Sequence, residues 1–467
     1  MIERNEIDAM AESLGVHPSH VQRDYVHGWI LSLLYSNSSL ADRLILKGGN
    51  CLRKGYFEHS RYSRDVDFTT PVGISDEELG RELNGIADAL DEKAGIVFDT
   101  SRTVVGDKKR ADSEKKISEA KLYFRDFYGK ESEIVLGVRL DVTQFDKIHL
   151  PIQERALIHP YSDRSACNAA IKCVKLEEIL ATKMRCLLQR KHIADLFDLV
   201  YAAVISPDIE IDRSQLLSTF FRITVFGANP SVAKGLFLDL PIEALGRFWS
   251  KYISCPNHSW FDFDHAKVTL FELIDGLIPG QPEHHFDQTF FPSKLRNPIL
   301  EAADSQTLLR LIYGGIERLV EPYDLAFKVR RDGVAREYLY AYDTVGGTSS
   351  GPGLKTFVSE NVQSIETTDI EFEPRFDIET NKSGSAESVS RFEGAGRAVS
   401  SNPFGARRAR PRSRRPSKPA SIGFGIEYKV ECPYCGKQFK RKKMDTKLNK
   451  HKDKYGNPCY GKIGFLV

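Results

Sequence analysis

Two glycines, Gly48 and Gly49, precede the triplet Asp65-Val66-Asp67 by a short stretch with apolar flanks. A glycine pair at a helix start leaves backbone N–H groups bare, and such groups bind phosphate well. On a strand, Asp65 and Asp67 project their carboxylates from one face. Two carboxylates side by side repel each other unless a cation lies between them. A phosphate cradle facing a divalent-cation site is what nucleotidyl transfer requires. The plainer alternative is a tight turn beside a solvated acidic strand end.

Further residues extend this pattern. Asp141, near the end of the apolar run 133–145, is a third carboxylate or simply a strand-end aspartate. Hard cations such as Mg²⁺ or Mn²⁺ take such oxygen ligands. The Asn50 amide could reach phosphate, and Arg53 and Arg64 either neutralise triphosphate charge or are surface arginines. Lys183 interrupts an apolar stripe of Leu176, Ile179, Leu180, Met184, Leu187 and Leu188. A lysine on a buried stripe needs an anionic partner, which a triphosphate could be, unless it snorkels to the surface. Asp195 and Asp198 share a helix face, and either organise the site or bridge helices.

The C-terminal end carries a second constellation. Cys432-Pro433-Tyr434-Cys435 is followed by His451 and Cys459, four soft ligands suited to tetrahedral Zn²⁺, with free thiols as the alternative. Phe439 and Leu448 would fill its small core. Lys440, Arg441, Lys442 and Lys443 surround it, and Arg407, Arg408 and Arg410 lie in the preceding Ser/Gly/Arg/Pro-rich stretch. From Gly394 onward there are 19 Lys/Arg against 4 Asp/Glu, a net of +15. The first 393 residues carry 47 against 60, a net of −13. An acidic body with a basic tail points the tail at a polyanion, nucleic acid above all; a solubilising face is the alternative.

These residues need elements to hold them. Helical spacing of Ile7, Met10, Ala11 and Leu14 ends at Gly15, and a second helix runs from Pro18 to about Tyr35. A short strand (Leu44–Leu46), the glycine turn, a helix from about Asn50 and a strand at Val66–Thr69 follow. Ser75 opens a helix to about Lys93. The charged segment 101–120 reads as a hairpin or insertion, 120–128 and 133–145 as strands, and Val174 onward as one long helix through the 190s. Segment 210–290 is mixed helical. A helix over Ile299–Tyr313 is then followed by short strands at Arg318–Glu321, Leu325–Arg330, Glu337–Tyr342, Lys355–Val358 and Val362–Ile365, which suggest a small barrel.

At 467 residues, 41% hydrophobic, the chain is long enough for several domains with a sizeable core. No apolar run approaches the ~18–20 residues that span a bilayer. The scattered Cys51, Cys167, Cys173, Cys186 and Cys255 read as reduced, and a cytoplasmic protein without a membrane segment is expected.

The runs LGVHPSHVQRDYV, LKGGNCLRKGYF, RYSRDVDF and LEEILATKMRCLLQRKHIADLFDL together resemble the AbiEii/MenT-type nucleotidyltransferase toxins of the polymerase-β-like superfamily. That resemblance covers roughly the first 200 residues. It implies an α/β (α+β) polymerase-β-like core, with Gly48 and Gly49 on phosphate, Asp65 and Asp67 on metal, Lys183 on the nucleotide phosphates and Asp198 in the active site. It also implies an NTP co-substrate, an RNA acceptor such as the 3′ end of tRNA, an antitoxin partner and a role in toxicity or phage defence. Two positions depart from it: Asn50 stands where Thr or Ser is usual, and Ala194 where Arg is. The run ERLVEPYDLAFKVRRDGVAREYLYAYD resembles a WYL-type domain, with Glu337-Tyr338-Leu339 in place of its signature triplet.

The expected organisation is a transferase domain (1–205), its helical extension (206–295), a WYL-like small β-barrel (296–374), a basic linker (375–425) and a zinc-finger-like module (426–467). Two other functions fit the same residues. One is a nucleic-acid-binding regulator whose transferase fold only senses nucleotide. The other is a transferase that modifies a protein partner.

Overall fold

The computed structural model describes residues 2–108, 116–125, 127, 135–206, 209–283, 290–329, 335–347, 351–380, 428–432, 437–441, 448–452, 458–459 and 465–466. The chain divides into two compact units, 1–130 with 136–386, and 131–135 with 387–467. The boundaries expected at 205, 295 and 374 all fall inside the first unit.

Unit one opens with α1 (Arg4–Leu14) and α2 (Pro18–Asn37). Gly15, at φ 66°, caps α1, and the His17 side chain accepts from the Ser19 N–H to start α2. Almost every residue of α2 from Val21 to Leu34 is buried, so it is a core helix rather than an amphipathic surface one.

A seven-stranded mixed sheet follows: β1 (Ile45–Lys47), β2 (Asp65–Thr70), β3 (Val104–Asp107), β4 (Ile117–Arg125), β5 (Val135–Gln144), β6 (Gln153–Ala156) and β7 (Ala170–Cys173). Their order is β3-β4-β5-β2-β1-β7-β6. The charged segment 101–120 is thus a hairpin that extends this sheet, with β3 antiparallel to β4. Between β1 and β2 lie the short helix α3 (Gly48–Cys51) and a π-turn over Leu52–Tyr56. Val66 and Phe68 are fully buried on β2. Burying each is worth ~1.5–3 kcal/mol. That fixes the strand's register and sends Asp65 and Asp67 to its other face.

The helical layer comprises α4 (Asp76–Ala94), α5 (Leu176–Arg190), α6 (Ile193–Val200), α7 (Arg213–Arg222), α8 (Pro230–Leu238), α9 (Gly246–Tyr252), α10 (Phe263–Leu277) and α11 (Ser293–Ser305). The single long helix expected after Val174 is broken in two. Lys191 adopts φ 54° and caps α5 on Leu187, and its ammonium also bonds the Leu188 carbonyl.

The helix expected over Ile299–Tyr313 is likewise half strand. Gln306, at φ 55°, ends α11 on the Ala302 carbonyl, and β8 (Thr307–Tyr313) begins at once. Leu309 and Leu311 are buried and Arg310 between them is exposed, a period of two rather than 3.6. Four more strands complete an antiparallel sheet: β9 (Ile316–Val329), β10 (Ala335–Asp343), β11 (Gly353–Phe357) and β12 (Val362–Glu371). Gly314 and Gly315, both at positive φ, make the β8–β9 hairpin. The two strands expected at 318–330 are one, bulged near Pro322. Strand order is β11-β10-β9-β8-β12. Among the described residues the end strands β11 and β12 are not hydrogen-bonded neighbours.

In unit two, β13 (Tyr428–Glu431) pairs with β14 (Gln438–Arg441) and, farther on, with Phe465–Leu466. His451–Lys452 pairs with Pro458–Cys459. Arg407, Arg408, Arg410, Cys435, Lys442 and Lys443 lie outside the described residues, as does linker 381–425. No helix among the described residues is long and apolar enough to cross a membrane.

Candidate active site and metal centres

Strand pairing assembles the carboxylates. β2 runs parallel to β5, with Asp67 beside Asp141 and Asp65 beside Arg139. Asp65 and Asp67 share a face of β2, so all three aspartates stand on one side of the sheet. Asp141 is 9% exposed, and its Oδ1 is buried with no hydrogen-bond partner among the described residues. Its Oδ2 accepts from the Lys108 ammonium, which reaches over from just beyond β3. Burial, opposed by Lys108 and reinforced by Asp65 and Asp67, pushes the Asp141 carboxyl up to about 6. Burial and Asp65 also raise Asp67, against Lys47, Lys108 and Lys183. Three crowded carboxylates, one with an orphaned oxygen, suit a hard divalent cation.

The glycine pair abuts this cluster. Gly48 has φ 72°, and a Cβ there would sit 2.4 Å from Asp67 Oδ2. A Cβ on Gly49 would meet Arg61 Nη2 and Ser63 Oγ, each at 2.9 Å. Only glycine lets this turn approach the carboxylates so closely.

A network of ions backs the turn. Lys183, 7% exposed, pairs with Asp195 at 2.9 Å and Asp198 at 2.8 Å. Arg61 holds Asp198 with two bonds of 2.8 Å, and Arg190 holds Asp195 at 3.0 Å. Burial opposes the Lys183 charge, but the two aspartates outweigh it and raise its pKa. Burial likewise disfavours the Asp198 carboxylate, while Arg61 and Lys183 hold its pKa below the usual range. Three cations thus face two carboxylates. The anionic partners that the Lys183 stripe demanded are aspartates of the next helix.

The remaining nucleotide-side residues are distributed differently. Asn50 is fully buried, and its amide donates to the Asp65 carbonyl at 2.8 Å, so it fixes the strand that carries the aspartates. Arg53 is held in the core by acidic and carbonyl partners. It is 3% exposed, bonds Asp24 at 2.6 Å and the Ser60 carbonyl at 2.5 Å, and shares Asp24 with Lys54. Arg64 stays by the cluster. Burial lowers it to about 10, with Asp65 opposing and Arg139 assisting.

Four groups escaped the sequence reading. Arg139, whose Nε is 3.9 Å from Asp65 Oδ1, lies two residues before Asp141, and strand alternation could have placed it on the same face. Arg61 sits in the RYSRDVDF run, where nothing local distinguishes it from Arg64. Lys108 and Arg23 come from other elements and leave no local signal. Burial and then Arg64 lower Arg23 to about 9.

In unit two, one ligand atom each from Cys432, His451 and Cys459 lies within 4.8 Å of the others. The two sulfurs are 3.6 Å apart. His451 Nδ1 donates to the Asn449 carbonyl at 2.8 Å, and Nε2 is buried without a partner. That hydrogen bond leaves Nε2 as the free lone pair, the arrangement of a ligating histidine. Leu448 and Phe439 pack around Cys432 and Cys459. Cys435 falls outside the described residues.

Residues 29–245, a little under half of the chain, match the family model described as nucleotidyl transferase AbiEii toxin, type IV TA system. Over that segment the chain is similar to a class of nucleotidyl transferases. Among solved structures, it is similar to MenT4, a nucleotidyltransferase toxin from Mycobacterium tuberculosis H37Rv, at 17% identity and a TM-score of 0.35. That alignment covers 58% of this chain and 87% of the other. No curated protein matches the chain.

Proposed function

We propose that this protein transfers a nucleoside monophosphate from an NTP to an acceptor hydroxyl. The observation that carries the reading is the register of Asp67 beside Asp141, with Asp65 on the same face and Gly48 in contact with Asp67. Asp65, Asp67 and Asp141 would hold a Mg²⁺ or Mn²⁺ ion, which supplies charge neutralisation to the transferring phosphate. The bare N–H groups after Gly48 would receive the β- and γ-phosphates. Lys183, Arg61 and Arg64 add positive charge near the phosphates. Asp198 is the carboxylate that orients Lys183 and Arg61. Positioning and charge neutralisation supply most of the catalysis in this chemistry.

The acceptor in this reading is RNA, with the 3′ end of tRNA foremost. The basic tail supports it, and so does the compact module at Cys432, His451 and Cys459. Those three residues, with Cys435, would close a structural Zn²⁺ site. The description of the matched family as a type IV TA system supports an antitoxin partner, and the reading places the target in the cytoplasm. The sheet β8–β12 would be the WYL-like sensing module.

The test is incubation with labelled NTPs, Mg²⁺ and total RNA. Label should enter RNA with the wild-type protein and not with Asp65→Asn or Asp67→Asn. Transfer that survives both substitutions would overturn the assignment. Label in a co-expressed protein instead of RNA would move the acceptor to a protein partner.

A further inference from the structure

The Lys108 ammonium sits where a cation is wanted. It donates to Asp141 Oδ2, and its side chain is 5% exposed. It comes from the β3–β4 hairpin, not from the strands that carry the aspartates. A second carboxylate lies within reach: Asp377 Oδ2 is 3.8 Å from the same ammonium. Asp377 belongs to a segment that leaves β12 and packs back on unit one. Arg375 N–H bonds the Tyr323 hydroxyl at 3.0 Å, and Glu379 N–H bonds the Tyr323 carbonyl at 2.7 Å. His192, at the junction of α5 and α6, donates to the Glu379 carbonyl. The segment 375–380 is thus tied at both ends, and Asp377 is held over Lys108.

Two charges of one sign do not share a carboxylate cluster without cost. We propose that Lys108 is an internal counter-ion that a divalent cation must displace from Asp141, and that Asp377 is the carboxylate that receives the displaced ammonium. This rests on the carboxylate cluster being a metal site, as proposed above. Lys108 on Asp141 is the resting state, which relieves only part of the metal-free cluster's self-repulsion. Lys108 on Asp377 is the loaded state. The segment after β12 therefore sets metal affinity, and anything that pulls 375–380 away weakens metal binding through Lys108.

The test is Mn²⁺ binding to the full-length protein, followed by electron paramagnetic resonance of the free ion, without NTP or turnover. The Asp67→Asn variant reports binding outside the cluster, including any at the cysteine module. Lys108→Met should bind Mn²⁺ roughly tenfold more tightly than wild type, or better. Lys108→Gln should do the same, which guards against a packing effect of Met. Asp377→Asn should weaken binding in the wild-type background and have no effect in the Lys108→Met background. A general field effect of charge would instead add equally in both backgrounds. Unchanged or weaker Mn²⁺ binding by both Lys108 variants overturns the counter-ion role. An equal effect of Asp377→Asn in both backgrounds overturns the role of Asp377. If Asp67→Asn binds Mn²⁺ as wild type does, the metal reading of the cluster fails, and this inference with it.

Discussion

Asp67 and Asp141 stand side by side on adjacent parallel strands, and the carboxyls of both are raised by burial and by their acidic neighbours. Without a cation, this pairing destabilises the fold near neutral pH. Asp67→Asn should therefore raise the metal-free protein's stability by on the order of 1 kcal/mol. The same change should lower nucleotidyl transfer by about a thousandfold. Thermal melting in EDTA and a labelled-NTP assay check the two halves. A variant that lost both stability and activity would show that Asp67 serves packing and not metal.

Gly48 and Gly49 should respond differently to alanine. Gly48 has φ 72°, and an added Cβ would collide with the Asp67 carboxylate. Gly48→Ala should cost about 1–3 kcal/mol and disturb the carboxylates directly. At Gly49 the nearest atoms are the ends of the Arg61 and Ser63 side chains, which can shift. Gly49→Ala should keep most of the stability while weakening NTP binding, because the shift loosens Arg61 from Asp198. Denaturant melts and NTP titration of the two variants separate these outcomes.

What was legible in the sequence is what depends on short-range order. Alternation on β2 puts Asp65 and Asp67 on one face, and spacing and residue type single out Cys432, Cys435, His451 and Cys459, of which Cys432, His451 and Cys459 lie close together. Contacts made with distant partners leave no such signal. Arg53 looks like Arg64 in sequence, but Asp24, a residue of α2, claims it inside the core. Lys183 needs an anion on sequence grounds, but the break at Lys191, after which Asp195 and Asp198 turn back to it, has no local signal. At that break Lys191 pairs with Glu337 on β10. The helix expected over 299–313 fails at Gln306 for a similar reason, since β8 gains partners on both sides, β9 and β12.

Glu337 holds three parts of unit one together. It pairs with Lys191 at 2.7 Å and with Arg296 of α11, and it accepts from the Phe291 N–H at 2.8 Å. All three side chains are buried. Glu337→Gln leaves two buried cations without their counter-charge. It should cost about 3–5 kcal/mol, the penalty typical of breaking a buried ion pair. Because Lys191 ends α5, the loss should also reach Lys183 and appear as weaker NTP binding at temperatures where the fold survives. Calorimetry and nucleotide titration measure the two effects; a change below about 1 kcal/mol would show that water reaches the triad.

Several histidines are held neutral by the fold. Burial lowers His27 and His192 to about 3, and lowers His17 and His159 to about 4. In the unfolded chain each would titrate near 6.5. Their folded values lie below the unfolded one, so between the two the unfolded state binds more protons. Stability is then intact above pH 6.5 and falls as pH drops from 6.5 toward 4, by up to about 2 kcal/mol per histidine at pH 5. Melting temperature should hold from pH 8 to 7 and fall steeply from 6.5 to 5. His27 makes the cleanest probe, since among the described residues neither ring nitrogen has a hydrogen-bond partner. His27→Leu should flatten the acid limb measurably while leaving the neutral melting temperature nearly unchanged. An acid limb identical to wild type would mean that carboxylates, not this histidine, drive acid unfolding.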